Sequence, residues 1–214
     1  MTSDPLTHLR EVMDRLRSPG GCPWDGEQDH RSLLRYLIEE SYEFIDAVER
    51  DDRDEMVEEL GDLLLQVYFH ARIGQERETD PFNLDEIATR VAQKLISRHP
   101  HVFSGDPADR VESSEEVLGN WERIKNREKS REDIFDGVPI GQPALTLATK
   151  YLQRAMKNSR PLPEGERSSD DIGEALLALV RSAVEQGIDP ESELRRATLK
   201  FAAGIDRRVE QDRI

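Results

Sequence analysis

Apolar side chains recur every three or four residues along nearly the whole chain, and this spacing restricts the folds open to it. On an α-helix, such spacing gathers the apolar side chains on one face, whereas a half-buried β-strand requires strict alternation of apolar and polar residues. No segment of the sequence sustains that alternation. The chain is therefore predicted to be an all-α protein built from amphipathic helices.

Proline, glycine and polar clusters divide this pattern into separate helices. Pro19-Gly20-Gly21 ends the first predicted helix, and Asp80-Pro81 ends the third. The second and third helices flank a polar turn, Arg50-Asp51-Asp52-Arg53, which is short enough to fold them back on each other as an antiparallel hairpin. Further helices are predicted between Asn83 and His99, around 114–130 and 144–157, and on both sides of Gly187-Ile188-Asp189-Pro190.

A faint internal repeat indicates how the chain is divided. The segment "ELGDLLLQV" that begins at Glu59 resembles "DIGEALLAL" at Asp171, but the second copy has no acidic helix before it. Residues 1–135 are therefore predicted to form one helical domain that contains the acidic helices. Residues 136–214 are predicted to hold a linker and a degenerate, shortened second copy.

The charge balance and the single cysteine limit the partners and the compartment. The chain has 45 acidic and 30 basic residues and a net charge of −15, which argues against a nucleic-acid or anionic-membrane binder. A polyphosphate ligand stays compatible with this charge if divalent cations lie between the two sets of negative groups. Cys22 has no second cysteine to pair with, and no apolar run reaches membrane length or resembles a signal peptide. We expect a soluble cytoplasmic protein.

The two helices of the predicted hairpin carry acids in a regular pattern. Glu39, Glu40 and Glu43 form E-E-x-x-E in the second helix, and Glu59 and Asp62 form E-x-x-D in the third. Residues three or four apart share a helix face. Both pairs, 43 with 59 and 40 with 62, have their midpoint at residue 51, inside the turn. An antiparallel hairpin therefore places carboxylates of one helix level with carboxylates of the other.

Facing carboxylates repel one another unless a positive charge lies between them. Hard oxygen ligands in that number suit Mg²⁺ or Mn²⁺, and neither helix has the Glu-x-x-His pattern of a di-iron bundle. The pattern alone is also compatible with a solvated acidic face. The symmetry of the pairs about the turn favours the metal site, as do the apolar residues interleaved with the acids.

Several segments share a pattern with one known family. They are "CPWDGEQDH" at Cys22, "YLIEESYEFIDAVE" at Tyr36, "EELGDLLLQVYFHA" at Glu58, "KLISRHPHVF" at Lys94 and "NWERIKNREK" at Asn120. With them, the chain resembles the MazG nucleoside triphosphate pyrophosphohydrolases of the all-α NTP pyrophosphatase superfamily. The resemblance covers nearly the whole chain and implies a helical bundle of that type. It also implies Mg²⁺-dependent cleavage of nucleoside triphosphates between the α and β phosphates, giving NMP and pyrophosphate.

The resemblance implies a role for each acid of the hairpin. Glu40, Glu43, Glu59 and Asp62 would be the metal ligands, with Mn²⁺ as a substitute for Mg²⁺. Glu39 would support the site or orient the attacking water as a catalytic residue. The second copy has Asp171-x-x-Glu174 in place of E-x-x-D and lacks E-E-x-x-E, so one metal site per chain is expected, in the first half.

The resemblance also implies a set of nucleotide-binding residues. Lys94, taken as catalytic, and Arg98 lie four apart on one predicted helix and would hold phosphate, for which arginine offers a bidentate fork. The remaining implied substrate-binding residues are Trp121, Lys125, Trp24 and Asp25. The alternatives are ordinary surface cations for the basic residues, and core or helix packing for the two tryptophans.

Two functions from different classes remain open at this stage. The first is a Mg²⁺-dependent pyrophosphohydrolase of NTPs or dNTPs, active in nucleotide-pool housekeeping as a homodimer or a higher homo-oligomer. The second is a catalytically silent helical module that binds a nucleotide or a partner, which the degenerate second half favours.

Overall fold

Helices are the only regular secondary structure in the parts of the chain that its computed structural model describes, which are residues 4–106, 109–128, 133–162 and 170–211. No β-strand occurs in those ranges, and the prediction of an all-α protein is confirmed. None of the described helices combines the length and apolar composition needed to cross a lipid bilayer. The helices are α1 (Pro5–Arg17), α2 (Pro23–Glu27), α3 (Leu34–Glu49), α4 (Arg53–Gln75), α5 (Leu84–Arg98), α6 (Pro100–Phe103), α7 (Ser114–Glu128), α8 (Ala144–Lys157), α9 (Ile172–Glu185) and α10 (Pro190–Gln211).

The chain divides into two compact units, Met1–Ile124 and Lys125–Ile214. The second unit is built from α8, α9 and α10, with Leu152 and Val180 among its buried residues. Asp171 caps α9 by accepting a hydrogen bond from the backbone N–H of Glu174 at 3.1 Å. The acid that aligns with Glu59 in the internal repeat is therefore a helix cap here.

The hairpin of α3 and α4 is the largest packing contact of the first unit. Its turn needs one residue in the left-handed region, and Asp51 has a φ of 54°. The side chain of Asp52 then accepts hydrogen bonds from the backbone N–H groups of Asp54 (3.1 Å) and Glu55 (3.2 Å), which caps α4. The chain reverses where the polar pattern predicts it.

The core of the first unit lies beyond the acids, toward the C-terminal half of α4. Met13, Leu33, Tyr68, Phe69 and Ile73 are buried together, and other apolar residues of α1, α3, α4 and α5 pack around them. Because the acids of α4 lie nearer the hairpin turn, burial on the apolar half of the helix anchors the polar half.

A buried arginine ties α2 to this core. The side chain of Arg17 is 4% exposed and donates to Glu76 at 2.7 Å. It also donates to the backbone carbonyl oxygens of Asp25 and Gln28, and its guanidinium lies 5.4 Å from the ring centroid of Phe69. Because a buried charge is tolerated when it is paired and hydrogen-bonded, Arg17 can hold the α2 segment at a fixed position beside α4.

Two glycines of α4 provide a test of this packing. A Cβ added to Gly74 would lie 2.5–2.7 Å from ring atoms of Phe82, whereas a Cβ at Gly61 would meet nothing within 4 Å. We expect Gly74→Ala to lower the free energy of unfolding by about 1–3 kcal/mol, because the half-buried ring of Phe82 must move. Gly61→Ala, the matched control, should be neutral or stabilising by up to about 1 kcal/mol, because alanine favours a helix. Urea unfolding followed by circular dichroism measures both, and equal losses would contradict the packing described.

Candidate metal centre

Three carboxylates from the two helices of the hairpin converge on one point. Glu40 and Glu43 of α3 and Glu59 of α4 each offer one oxygen, and the three oxygens lie within 4.8 Å of one another. Glu40 and Glu59 are half-buried, and Glu43 is exposed. We call these three residues the acid cluster. The packing of α3 on α4 thus brings acids from separate segments together.

The remaining predicted acids lie at the edge of the acid cluster. Asp62 is half-buried and lies three residues after Glu59, on the same face of α4. Its negative charge contributes to raising the pKa of both Glu40 and Glu59. Glu39 is exposed and does not belong to the three converging residues. The charge of Asp62 therefore acts on the acid cluster without converging on it, and Glu39 lies on an exposed part of α3.

The electrostatics of the acid cluster oppose its own ionisation. Burial, followed by the charges of Asp62 and Glu43, raises the pKa of Glu40 to about 7. Burial and the charges of Glu43 and Asp62 also raise the pKa of Glu59 above its ordinary value. Like charges that share a site disfavour the charged forms, and a cation among them reverses that effect.

The donor set of the acid cluster fits a hard divalent cation. The Oε2 atom of Glu59 is buried and has no hydrogen-bond partner among the described residues. A buried acceptor left unpaired costs free energy, which a hydrogen-bond donor or a cation at this oxygen would remove. Three carboxylates with no histidine or cysteine among them form an all-oxygen set, which suits Mg²⁺, Mn²⁺ or Ca²⁺ better than zinc or copper.

An open cavity adjoins the acid cluster and extends toward the hairpin turn. Its volume is about 570 Å³, and Tyr42, Glu43 and Glu59 line it at the cluster. Arg50 lies in the same wall, paired with Asp46 at 3.0 Å and with Glu55. This arginine was assigned only to the exposed turn by the sequence pattern. The cavity offers space for a charged ligand beside the acids.

The predicted nucleotide-binding residues of α5 and α7 form a separate contact. Arg98 is buried at 7% exposure, and its guanidinium lies over the ring of Trp121 at 5.2 Å from the centroid. Lys94 is exposed one turn earlier on α5. None of these three lines the cavity beside the acids. The side chain of Lys125 lies outside the described residues.

Trp24 and Asp25 of α2 lie in the segment that Arg17 holds. Trp24 is half-exposed and packs edge-on against Tyr36, with ring centroids 5.9 Å apart at an interplanar angle of 74°. Tyr36 is four residues before Glu40, and therefore one turn away on the same face of α3. Asp25 is half-buried, with its backbone oxygen bonded to Arg17. Trp24 thus contacts a residue that lies one helical turn from Glu40 of the acid cluster.

Sequence reasoning missed two residues that adjoin the acids. Tyr36 lies one turn before Glu40, and Gln66 lies one turn after Asp62. Gln66 is buried at 5% exposure inside the apolar run of α4. The signal for Gln66 was a polar residue inside that run, four positions after an acid of the motif.

Comparison with known proteins identifies the family. A family model described as the MazG nucleotide pyrophosphohydrolase domain matches residues 28–103. A nucleoside triphosphate pyrophosphohydrolase of Mycobacterium tuberculosis is 43% identical over 196 residues, which cover 92% of this chain and 54% of that protein. A Thermotoga maritima protein named nucleoside triphosphate pyrophosphohydrolase/pyrophosphatase MazG is 36% identical over 216 residues, which cover 90% of this chain and 81% of that protein. The chain belongs to the MazG family.

This finding confirms the MazG resemblance drawn from the sequence motifs. Among solved structures, a MazG-related protein from Thermotoga maritima is 28% identical with a TM-score of 0.47, and the match covers 56% of this chain and 98% of that chain. The M. tuberculosis relative is the longer protein, since this chain spans 54% of it. The MazG model covers α3 and α4, so the acid cluster lies inside the family match.

The raised pKa of Glu40 yields a test of metal binding to this MazG chain. Glu40 must lose its proton to bind a cation, so affinity for Mn²⁺ should rise as the pH passes through about 7. Below that pKa, we expect the affinity to fall by up to about tenfold per pH unit. Isothermal titration calorimetry in buffers of different ionisation enthalpy measures both the affinity and the proton released.

Two variants separate this effect from general acidity. Glu40→Gln should weaken Mn²⁺ binding and flatten its pH dependence, because the titrating ligand is gone. Asp54→Asn removes an exposed charge near the start of α4 and should change neither. An affinity for Mn²⁺ that does not vary with pH in the wild-type protein would contradict the assigned role of Glu40.

Proposed function

We propose that this chain hydrolyses nucleoside triphosphates, NTP or dNTP, between the α and β phosphates, with NMP and pyrophosphate as products. The observation that carries the proposal is the convergence of Glu40, Glu43 and Glu59 within the family match. The named relatives from M. tuberculosis and T. maritima are nucleoside triphosphate pyrophosphohydrolases, which supports the reaction class. We assign it to nucleotide-pool housekeeping in the cytoplasm, where the lone Cys22 stays reduced.

Mg²⁺ is the proposed cofactor, with Mn²⁺ as a substitute. Glu40, Glu43 and Glu59 are its proposed ligands, and Asp62 is the fourth. A divalent ion bound there supplies positive charge that neutralises the phosphates and favours the departure of pyrophosphate. The half-buried position of Glu40 and Glu59 strengthens their attraction for a cation, because the local dielectric is low.

The other predicted residues have proposed roles around this centre. Glu39, exposed beside the acid cluster, is proposed to orient the attacking water and accept its proton. Lys94, exposed on α5, is proposed to contact the phosphates as a cation. The proposed contacts to the rest of the nucleotide come from Trp24, Asp25, Arg98, Trp121 and Lys125.

A homodimer, or a higher homo-oligomer, is the proposed assembly. Leu34, Ile38 and Tyr42 form a row along α3 at a spacing of four residues, and each is more than 40% exposed. A contiguous row of exposed apolar residues on a helix is typical of an interaction surface. Burial of this row against a second copy would leave the acids at the edge of the contact.

Product analysis tests the reaction. We expect NMP and pyrophosphate from at least one of the eight standard NTPs and dNTPs with Mg²⁺, and none without metal. Glu40→Gln and Asp62→Asn should each lower kcat/KM by more than about 100-fold, a loss of roughly 2.7 kcal/mol of transition-state stabilisation. Ion-exchange chromatography separates the products, and circular dichroism at 222 nm checks that the variants fold.

The control for this assay is Asp54→Asn, which should keep wild-type activity. NDP and phosphate as products would show that the wrong bond is assigned. Nucleotide binding by the wild-type protein without any product would support the silent binding module in place of the enzyme.

A substitution in the apolar row on α3 tests the proposed assembly. Ile38 is 57% exposed, and we expect Ile38→Lys to shift the protein toward the monomer because a charge cannot be buried there without a partner. Ile140→Lys changes an apolar residue that is 81% exposed in the other unit and should leave the assembly unchanged. Sedimentation velocity reports the mass of each, and a wild-type monomer at all concentrations would contradict the homodimer.

A further inference from the structure

Gln66 is a buried polar residue without a full set of partners. It is 5% exposed, and its Oε1 atom is buried with no hydrogen bond among the described residues. A buried amide oxygen in that state costs about 1–3 kcal/mol. Replacement by an apolar residue would remove this cost, so a buried glutamine there calls for a partner that the described residues do not supply.

The unpartnered atoms of α4 lie along one face of the helix. Besides Gln66, they include Oε2 of Glu59 and Nε2 of His70. Asp62, Gln66 and His70 are spaced by four, and Glu59 precedes Asp62 by three, so all four share a face. A polar row therefore runs from the acid cluster into the interior of the first unit.

The register of the hairpin places Gln66 opposite Tyr36. The pairs 43 with 59, 40 with 62 and 36 with 66 all have residue 51 as their midpoint. Leu33 and Phe69 have the same midpoint, and both belong to the buried core, which supports this register. Gln66 and Tyr36 thus form the layer of the hairpin next to the acids, on the side away from the turn.

An aromatic pair occupies this same layer. Trp24 packs edge-on against Tyr36 at 5.9 Å between ring centroids, and the guanidinium of Arg35 lies 4.5 Å from the centroid of the Tyr36 ring. We call Trp24, Tyr36 and Gln66 the aromatic–amide layer. Aromatic rings stack on planar heterocycles whatever hydrogen-bonding groups the heterocycle carries. An amide offers one donor group and one acceptor, and each must be matched by the ligand.

The aromatic–amide layer has the chemistry and the position to receive a nucleobase. Neighbouring turns of a helix are about 5.4 Å apart, so the layer lies about one turn from the carboxylates. Phosphates bound at the acid cluster through a divalent cation would therefore leave the nucleoside end of a substrate free to reach the layer. On the opposite side of the cluster, the cavity is lined mostly by charged residues, among them Asp46, Arg50 and Glu58.

We propose that Gln66 is a specificity-determining residue, whose amide hydrogen-bonds the edge of the substrate nucleobase in the aromatic–amide layer. The inference rests on the proposed function, since it requires a nucleotide at the acid cluster. The atom left without a partner is the amide oxygen, so the residue favours a base that presents an N–H donor at that position. A base that leaves the amide unpaired is rejected, because the buried oxygen keeps its desolvation cost.

The test is the base selectivity of Gln66→Met, a variant of similar volume without the amide. We would measure kcat/KM for the eight standard NTPs and dNTPs and take the ratio of the best base to the worst. The ratio should fall by at least about tenfold, while Mn²⁺ affinity stays as in the wild-type protein. The matched control is Gln75→Met on the exposed end of the same helix, for which the ratio should not change.

Each other outcome overturns the inference. Equal loss of activity for every base would indicate a structural role for Gln66. An unchanged ratio of best to worst base would indicate that Gln66 has no role in base selectivity. If the wild-type protein turns over no nucleotide, calorimetric binding of α,β-methylene nucleoside triphosphates with Mn²⁺ replaces kcat/KM. Base-dependent loss of binding in Gln66→Met then supports the inference although hydrolysis has failed. Uniform loss, no loss, or no wild-type binding overturns it.

Discussion

The packing of α3 along α4 is the interaction on which the candidate site depends. Asp51 in the left-handed region and the cap formed by Asp52 reverse the chain between the two helices. Residues equally distant from Asp51 then face each other, which is how Glu40, Glu43 and Glu59 come within 4.8 Å. The same register continues to the buried pair of Leu33 and Phe69, so the core and the site share one geometry.

The two halves of the hairpin have opposite effects on the stability of the fold. The half of α4 that carries Phe69 and Ile73 buries apolar surface, and this burial stabilises the fold. The half that carries Glu59 brings acids together in a half-buried site, where burial, followed by the charges of Asp62 and Glu43, raises the pKa of Glu40 to about 7. A chain tolerates such a destabilising group where function requires it, and perturbed carboxyl groups concentrate at such sites.

Segments remote in sequence complete the surroundings of the hairpin. Arg17 bonds to backbone oxygens of the α2 segment and to Glu76 at the end of α4, so the segment that bears Trp24 is fixed beside α3. In a similar way, the buried side chain of Arg98 lies over the ring of Trp121 and joins α5 to α7. Both contacts use arginine because its flat guanidinium can stack on a ring and donate hydrogen bonds together.

The sequence by itself determined the all-α class, the turn near Asp51 and the facing of acids across it. These follow from local rules, since helical spacing, a short polar turn and a shared midpoint need no knowledge of distant residues. Only the tertiary structure decided that Arg98 is buried over Trp121, that the oxygen of Gln66 has no partner within the described parts of the chain, and how far the pKa of Glu40 is raised. Burial and electrostatic environment depend on which remote segments pack against a side chain, and that information is absent from spacing along the chain.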